Sequence, residues 1–209
     1  MWCVGMAISA RNLFPPVSKG LRVGLYGGSF NPLHAGHIHV AKSAKTRLQL
    51  DAIWWLVSPG NPLKGEVGKA DYEGRLTGVR QALKGLHGHY VCTAEAAMKT
   101  RYSVDLIHAV RAIRPAIRPV WVMGGDNLAN FHLWKDWQRM AFSIPMAVIA
   151  RPQDPVRARF SPMARFFASA RLPAAAANIL ADQSAPAWVY LPAPMHHHSS
   201  TQMRAEPGR

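Results

Sequence analysis

The stretch GGSFNPLHAGH, residues 27–37, follows an apolar run, LRVGLY (21–26), and leads into an amphipathic segment. Gly27 and Gly28 have no side chains, so the backbone N–H groups of this turn can come close to a polyphosphate. The first turn of a helix adds unpaired N–H groups and a partial positive charge. The sequence therefore predicts a strand, a glycine turn and a helix start that together bind an anion.

Two histidines close this stretch. His34 and His37 are one helical turn apart, so both imidazoles can lie on the same side of the loop. Imidazoles beside a bound phosphate can donate hydrogen bonds to oxygens that gain charge during phosphoryl or nucleotidyl transfer. A glycine turn alone, or one histidine on a helix, is more often an ordinary structural feature. Their combination in one short stretch indicates a site that handles phosphates.

Short apolar runs alternate with longer amphipathic segments along the chain. The runs are rich in Val, Ile, Trp and Tyr, are bounded by Gly or Pro, and are typical of buried strands. The amphipathic segments have apolar residues at intervals of three and four, as helices do. The alternation predicts a doubly wound α/β domain with a mostly parallel sheet. The predicted strands are 22–27, 52–59, 89–94, 119–125, 146–151 and 187–192, and the predicted helices are 37–48, 71–86, 103–113 and 127–140.

Two segments lie outside this alternation. Residues 1–20 lack the basic region and apolar segment typical of a signal peptide, so we expect a loose extension before a single domain, 21–209. Residues 152–186 mix prolines, arginines and alanines, and predict a loop with a short helix. In doubly wound sheets ligands bind beyond the carboxyl ends of the strands. The strand-to-helix loops are therefore the expected place of the site.

Composition and charge restrict the class of protein. No apolar stretch approaches the roughly 20 residues that cross a bilayer, and Cys3 and Cys92 lie far apart, outside CxxC spacing. We therefore expect a globular, cytoplasmic protein with free thiols. The formal net charge of +14 favours anionic partners, which include nucleic acid, membrane surfaces and phosphorylated metabolites. A basic nucleic-acid-binding protein without enzymatic activity therefore stays open as an alternative.

Other catalytic signatures are missing from the sequence. The turn after the first strand contains neither GxGxxG nor GxxxxGK[ST], which argues against hydride transfer and P-loop ATP hydrolysis. The three adjacent histidines at 196–198 cannot all face one ion, so we expect a solvated stretch and no protein-held metal.

The stretch 27–37 resembles the (H/T)xGH signature of a nucleotidyltransferase superfamily. Further segments narrow the resemblance to bacterial nicotinate-nucleotide adenylyltransferases, over residues 21 to 204 or so. The similar segments are SPGNPLK (58–64), RYSVDLI (101–107), WVMGGDNLANFHLWKDW (121–137), VIARP (148–152) and SSTQMR (199–204).

The resemblance implies a Rossmann-like nucleotidyltransferase fold and three groups of site residues. The residues implied in catalysis are His34, His37 and Lys64. The residues implied at ATP are Gly28, Ser29, Phe30, Gly125, Asp126, Arg151, Ser200, Thr201 and Arg204. The residues implied at nicotinate mononucleotide are Asn31, Ser103 and Trp134.

The resemblance also implies the reaction, which transfers the adenylyl group of ATP to nicotinate mononucleotide and releases pyrophosphate. His37 is the expected main stabiliser of the charged transition state, and Trp134 is expected to stack on the pyridine ring. Mg²⁺ is expected to arrive mainly on the ATP phosphates. The expected partners are these two small molecules, with neither nucleic acid nor a membrane.

Three departures from the family pattern affect the second substrate more than ATP. Asn31 replaces an aspartate, GNPLK replaces a Pro-Pro-His-Lys type of loop, and Ser103 replaces a threonine. Adenylyl or cytidylyl transfer to another phosphorylated acceptor, such as nicotinamide mononucleotide or phosphopantetheine, therefore stays open. A fragment of an aminoacyl-tRNA synthetase is disfavoured, because the chain is short and shows no KMSKS-type loop.

Overall fold

The structure is a computed structural model that describes residues 13–60, 69–100, 102–150, 158 and 160–192. Over these ranges the chain forms seven strands. They are β1 (Arg22–Gly28), β2 (Ala52–Val57), β3 (His89–Cys92), β4 (Arg118–Gly124), β5 (Met146–Ala150), β6 (Arg171–Leu172) and β7 (Trp188–Pro192). They make one sheet in the order β3-β2-β1-β4-β5-β7-β6, and each neighbouring pair is parallel. The expected doubly wound, parallel α/β fold is confirmed.

Helices connect the strands, as parallel pairing requires. The α-helices are α1 (Ala35–Arg47), α2 (Lys69–Ala82), α3 (Ala94–Ala97), α4 (Ser103–Ile113), α5 (Gly125–Asn130), α6 (Trp137–Ser143) and a short one at Pro162–Phe166. The 3₁₀ helices are Phe131–Leu133, Ala168–Ala170 and Ala174–Asp182.

The central strands of the sheet are buried on both faces and are therefore mostly apolar, whereas the edge strands β3 and β6 are partly exposed. In β2 every residue is buried, and consecutive side chains point to opposite faces. Trp54 packs in the core on one face with Trp121, whereas Trp55 packs in the core on the other face with Val40 and Val120. Two apolar layers therefore hold the sheet rigidly between its helices.

The predicted helix at 127–140 is wrong. The chain forms α5, a 3₁₀ turn and α6 there, because Trp134 takes an extended backbone (φ −77°, ψ 145°) and Asp136 a left-handed one (φ 51°). Apolar spacing continues across the break, which is why periodicity alone missed it. The six predicted strands are all present with ends within two residues, and the two-residue β6 was not predicted.

The described part of the expected loose extension, 13–20, packs against the domain. Phe14 is buried and stacks on Trp54, with ring centroids 5.7 Å apart. Its carbonyl oxygen accepts a hydrogen bond of 3.0 Å from Arg114 Nη2. Phe14 thus fills the core over β2, whereas Pro16, Ser18, Lys19 and Gly20 are exposed. The segment 152–186 contains the expected short helix, where the structure describes it, together with β6 and two 3₁₀ helices.

The strand order reverses between β1 and β4. Chain connections lead from β1 outward to β2 and β3, whereas β5, β7 and β6 extend the other side. Tyr26 pairs with Val122, so the loops after β1 and β4 leave the sheet side by side. Ligands of doubly wound sheets bind at such a switch point.

Gly27 lies against the ring of Trp121 near this point. A Cβ atom on Gly27 would be 2.8 Å from Cη2 of Trp121, a fully buried side chain that has no room to move. We predict that Gly27→Ala lowers the free energy of unfolding by about 1–3 kcal/mol, the usual effect of overpacking. Urea denaturation measures this change.

Gly78→Ala is the matched control, since a Cβ on this residue of α2 meets nothing within 4 Å. It should leave stability unchanged or raise it by up to about 1 kcal/mol, because alanine favours helix. Equal stability of the two variants would contradict the close approach of Gly27 to Trp121.

Candidate active site

Two imidazoles cap the N-terminus of α1. His34 is the N-cap residue, and its Nδ1 accepts a hydrogen bond of 3.1 Å from the backbone N–H of Gly36. Nδ1 of His37 accepts in turn from the backbone N–H of His34, at 3.3 Å. This is a reciprocal capping box, with imidazoles in the places usually taken by Ser or Thr and Glu. The two histidines are therefore held by the start of the helix itself.

The caps determine which ring nitrogen can donate. Because Nδ1 accepts in both rings, the neutral imidazoles carry their hydrogen on Nε2. The ring centroids are 3.9 Å apart, with 34° between the planes, so the faces of the two rings lie against each other. His34 is buried at 5% exposure and His37 is partly exposed. His37 is therefore the more accessible donor of the pair.

The loop after β1 supports this pair. Phe30 has a left-handed backbone (φ 46°) and is buried, and its ring packs edge-on against His37 at 5.3 Å. A Cβ on Gly28 would lie 3.0 Å from Cε1 of Phe30, so this tight loop favours glycine there. Ser29 and Asn31 are partly exposed on either side of Phe30. The first turn of α1 has no acidic residue, so nothing within it opposes an anion.

The loop after β4 contributes the next predicted residues. Gly125 and Asp126 begin α5, directly after the last residue of β4, and Gly124 is the N-cap residue. Gly125 is buried and Asp126 is partly exposed. The sheet places these residues at the same carboxyl edge as Gly28, Ser29 and Phe30.

The residues expected at the pyridine ring lie on two neighbouring segments. Ser103 is the first residue of α4, and Trp134 follows the 3₁₀ turn after α5. Nζ of Lys135 lies 4.3 Å from the ring centroid of Tyr102, which brings the two segments together. One part of the Trp134 ring packs on Phe131 and Trp121, yet the side chain stays partly exposed. Trp134 is thus both a core contact and a candidate stacking surface.

Several predicted residues lie outside the described residues. They are Lys64, Arg151, Ser200, Thr201, Arg204 and the three histidines at 196–198.

Sequence reasoning missed a buried polar network between the loops after β1 and β2. Arg75 donates from Nη1 to the carbonyl oxygens of Ser29 (2.6 Å) and Ser58 (2.8 Å), and from Nη2 to that of Pro59 (3.1 Å). Its Nε donates to Oδ2 of Asp71, at 2.9 Å. Arg75 lies among the apolar residues of α2 that face the sheet, and a charged residue in that position was the available signal.

Ser58 joins a second charged group to this network. Its Oγ lies 2.7 Å from Oε1 of Glu95 and 2.5 Å from the carbonyl oxygen of Gly60. Burial raises the pKa of Glu95 from 4.5 to about 7, although the Ser58 hydroxyl and the Arg75 guanidinium oppose that rise. Burial also raises the pKa values of Tyr72 and Cys92, and the charge of Glu95 adds to the rise at both.

No group of three or more His, Cys, Asp or Glu side chains in the described ranges is arranged to hold a metal ion. Among the helices that the structure describes, none is long and apolar enough to cross a membrane.

The raised pKa of Glu95 predicts a pH-dependent stability. The unfolded chain releases this proton near pH 4.5 and the folded protein near pH 7, so stability falls as pH rises between these values. The expected loss above pH 7 is about 3 kcal/mol. Glu95→Gln cannot lose a proton, so we predict that it is more stable than the wild type at pH 8 and similar at pH 4.5.

Thermal unfolding across this pH range tests the prediction. Glu73→Gln, at an exposed position of α2, is the control and should follow the wild type at every pH. A Glu95→Gln variant whose stability depends on pH as the wild type does would refute a buried carboxyl that titrates near neutrality.

Comparisons with known proteins show the family of this chain. The cytidylyltransferase-like family model matches residues 25–206. A Caulobacter sp. (strain K31) protein named a probable nicotinate-nucleotide adenylyltransferase is 49% identical over 184 residues, which are 88% of this chain and 97% of that protein. A protein of the same name from Ruegeria pomeroyi is 44% identical over 95% of this chain and 92% of its own length.

A solved structure shares the fold. The Plasmodium falciparum nicotinic acid mononucleotide adenylyltransferase complexed with NaAD superposes with a TM-score of 0.66, at 13% identity. The match covers 88% of this chain and 83% of that one. The fold agrees with the structural match, and the sequence identities over nearly the whole chain show that it is a nucleotidyltransferase of the nicotinate-nucleotide adenylyltransferase family.

Proposed function

We propose that this protein transfers the adenylyl group of ATP to nicotinate mononucleotide, which forms nicotinate adenine dinucleotide and releases pyrophosphate in NAD biosynthesis. The observation that carries the proposal is the pair of capping imidazoles at the switch point of the sheet. Their Nδ1 atoms are occupied by backbone N–H groups, so Nε2 is the donor of each neutral ring. The relatives named as probable nicotinate-nucleotide adenylyltransferases support the choice of substrates.

The proposed reaction is a direct in-line displacement. A 5′-phosphate oxygen of nicotinate mononucleotide forms a bond to the α-phosphorus of ATP, and the bond from that phosphorus to the bridging oxygen of pyrophosphate breaks. The attacking oxygen is already anionic, so the reaction needs no general base and no covalent intermediate. The protein contributes positioning and stabilisation of negative charge on the phosphates.

The two histidines have unequal roles in this proposal. His37 is partly exposed and donates Nε2–H to a phosphate oxygen of ATP. His34 is buried beside it and fixes the start of α1, which orients the ring of His37. Backbone groups of Gly28, Ser29 and Phe30 line the nucleotide site.

The remaining site assignments rest on the resemblance to the family. Lys64 adds positive charge near the phosphates, Gly125 and Asp126 border adenosine, and Trp134 stacks on the pyridine ring beside Ser103 and Asn31. Arg151, Ser200, Thr201 and Arg204 complete the ATP site. Mg²⁺ enters as part of the nucleotide substrate, because it binds through phosphate and water oxygens more than through protein cages.

The proposal includes a cytoplasmic location and small molecules as the only substrates. The free thiol of Cys92 is buried in the core and suits a reducing compartment.

His37→Asn tests the donor role separately from the cap. The asparagine Oδ1 can still accept from the N–H of His34, whereas the donor at Nε2 is lost. We predict that kcat falls by about 10²–10³, the usual effect of removing one charge-stabilising donor. Pyrophosphate release with ATP, Mg²⁺ and nicotinate mononucleotide measures the rate.

His39→Asn is the control for this experiment. His39 lies on α1 but two residues further on, so it faces a different side of the helix, where its Nε2 contacts Ser43 Oγ at 3.0 Å. It should keep the wild-type kcat. A folded His37→Asn variant with near-normal turnover would remove the imidazole from the mechanism.

A comparison of acceptors tests the substrate. We predict a kcat/KM at least about 10-fold higher for nicotinate than for nicotinamide mononucleotide, because one charge-assisted hydrogen bond to the carboxylate is worth about 1.5–3 kcal/mol. Phosphopantetheine, and CTP in place of ATP, should give no pyrophosphate. Preference for another acceptor would change the assigned substrate, and tight salt-dependent binding of nucleic acid without turnover would overturn the enzyme assignment.

A further inference from the structure

Arg75 is a charged residue in the interior of the domain. Its side chain is 5% exposed, on the face of α2 that also presents Tyr72, Leu76 and Val79 to the core. Burying a guanidinium is unfavourable unless its N–H groups are paired, and an apolar residue of similar size packs such a position at least as well. Arg75 is therefore better explained by the loop conformation that its hydrogen bonds impose than by a contribution to stability.

Those hydrogen bonds join the two loops that follow β1 and β2. One nitrogen, Nη1, donates both to the carbonyl oxygen of Ser29 and to that of Ser58, and Nη2 donates to that of Pro59. The backbone N–H of Ser58 also donates to the carbonyl oxygen of Gly28, at 3.0 Å. The guanidinium thus acts as a clamp: it joins the loop after β1, which lies beside the imidazole pair, to the loop after β2.

We infer that Arg75 is a positioning residue for adenylyl transfer, which holds the loop after β1 in the conformation that orients His37 and the N–H of Phe30 towards the phosphates. The inference rests on the proposed function. Arg75 acts on the reaction through the loop and does not itself touch the substrate.

The direction of the Phe30 N–H follows from the planarity of the peptide bond. The carbonyl of Ser29 points at Arg75, so the N–H of Phe30, in the same trans peptide, points in the opposite direction. Rotation of that peptide would turn the N–H away and would also displace the Phe30 backbone, which has a left-handed φ of 46°. Arg75 therefore fixes the direction in which this N–H donates.

The ring of Phe30 connects the same loop to the imidazole of His37. It packs against His37 at 5.3 Å, and against Tyr26 at 5.4 Å on the sheet side. A shift of the Ser29–Phe30 peptide moves this ring, and the imidazole of His37 loses its lateral support. Both the backbone donor and the imidazole donor thus depend on the same clamp.

The planar guanidinium is essential to this arrangement. Its Nε pairs with Asp71 while its two terminal nitrogens reach carbonyl oxygens of both loops. A lysine ammonium is a single point charge on a flexible stem and cannot reproduce this fork. The substitution Arg75→Lys therefore keeps the positive charge and removes the planar arrangement of donors.

The experiment compares Arg75→Lys and Arg75→Met with Arg80→Lys, a change of the same kind at an exposed position of α2. Steady-state kinetics use MgATP and nicotinate mononucleotide. For Arg75→Lys we expect kcat to fall about 10–100-fold, as when reacting groups are misplaced by about 1 Å, with KM for both substrates little changed. Arg75→Met should be at least as impaired, and Arg80→Lys should match the wild type.

Nuclear magnetic resonance of the folded variants provides a readout that a purely structural role would not produce. In Arg75→Lys, the amide signal of Phe30 and the ring signals of His37 should shift. The amide of Leu25, in the middle of β1, should keep its position and its protection from hydrogen exchange.

Two results would overturn the inference. One is a folded Arg75→Lys enzyme with wild-type kcat, and the other is a loss of activity accompanied by faster hydrogen exchange throughout β1 and β2. Failure of the proposed function is a separate result, because the wild type itself would then release no pyrophosphate. The shifts at Phe30 and His37 would still test the clamp in that case.

Discussion

The site depends on the hydrogen bonds that begin α1. A helix start has backbone N–H groups without partners inside the helix, and in most proteins small hydroxyl or carboxylate side chains satisfy them. Here His34 and His37 satisfy them with Nδ1. The same bonds set the tautomer of each ring and the positions of the rings, so the groups that could stabilise phosphate charge are ordered by the fold before any ligand binds.

The sheet supplies the rigid frame for these hydrogen bonds. Both of its faces are packed with apolar side chains, so the ends of β1, β2 and β4 are fixed relative to one another. The loops are then joined by polar contacts, from Arg75 to Ser29, Ser58 and Pro59, and from the N–H of Ser58 to Gly28. Apolar burial therefore fixes the positions of the strands, and buried hydrogen bonds fix the conformation of the loops that follow β1 and β2.

Local patterns in the sequence were sufficient to predict six of the seven described strands and the first loop. Continuous apolar runs identify strands buried on both faces, and the spacing of His34 and His37 placed both rings on one side. Periodicity failed at 127–140, because the apolar spacing continues through the break at Trp134 and Asp136. The packing of Phe14 could not be predicted from composition, because only the folded sheet shows the space over Trp54 that Phe14 fills. Arg75 was missed because three of its four hydrogen-bond partners are backbone carbonyl oxygens of the two loops, which no sequence pattern displays.

The hydroxyl of Ser58 lies within hydrogen-bond distance of two acceptors, Glu95 and the carbonyl oxygen of Gly60, but it has one hydrogen to donate. When the carboxyl of Glu95 is ionised it competes with Gly60 for that hydrogen. When the carboxyl is protonated it can itself donate to Ser58 Oγ, and the hydroxyl is released to bond the carbonyl oxygen of Gly60. The protonated carboxyl therefore allows both hydrogen bonds at once, whereas the ionised carboxyl leaves one hydroxyl hydrogen for two acceptors.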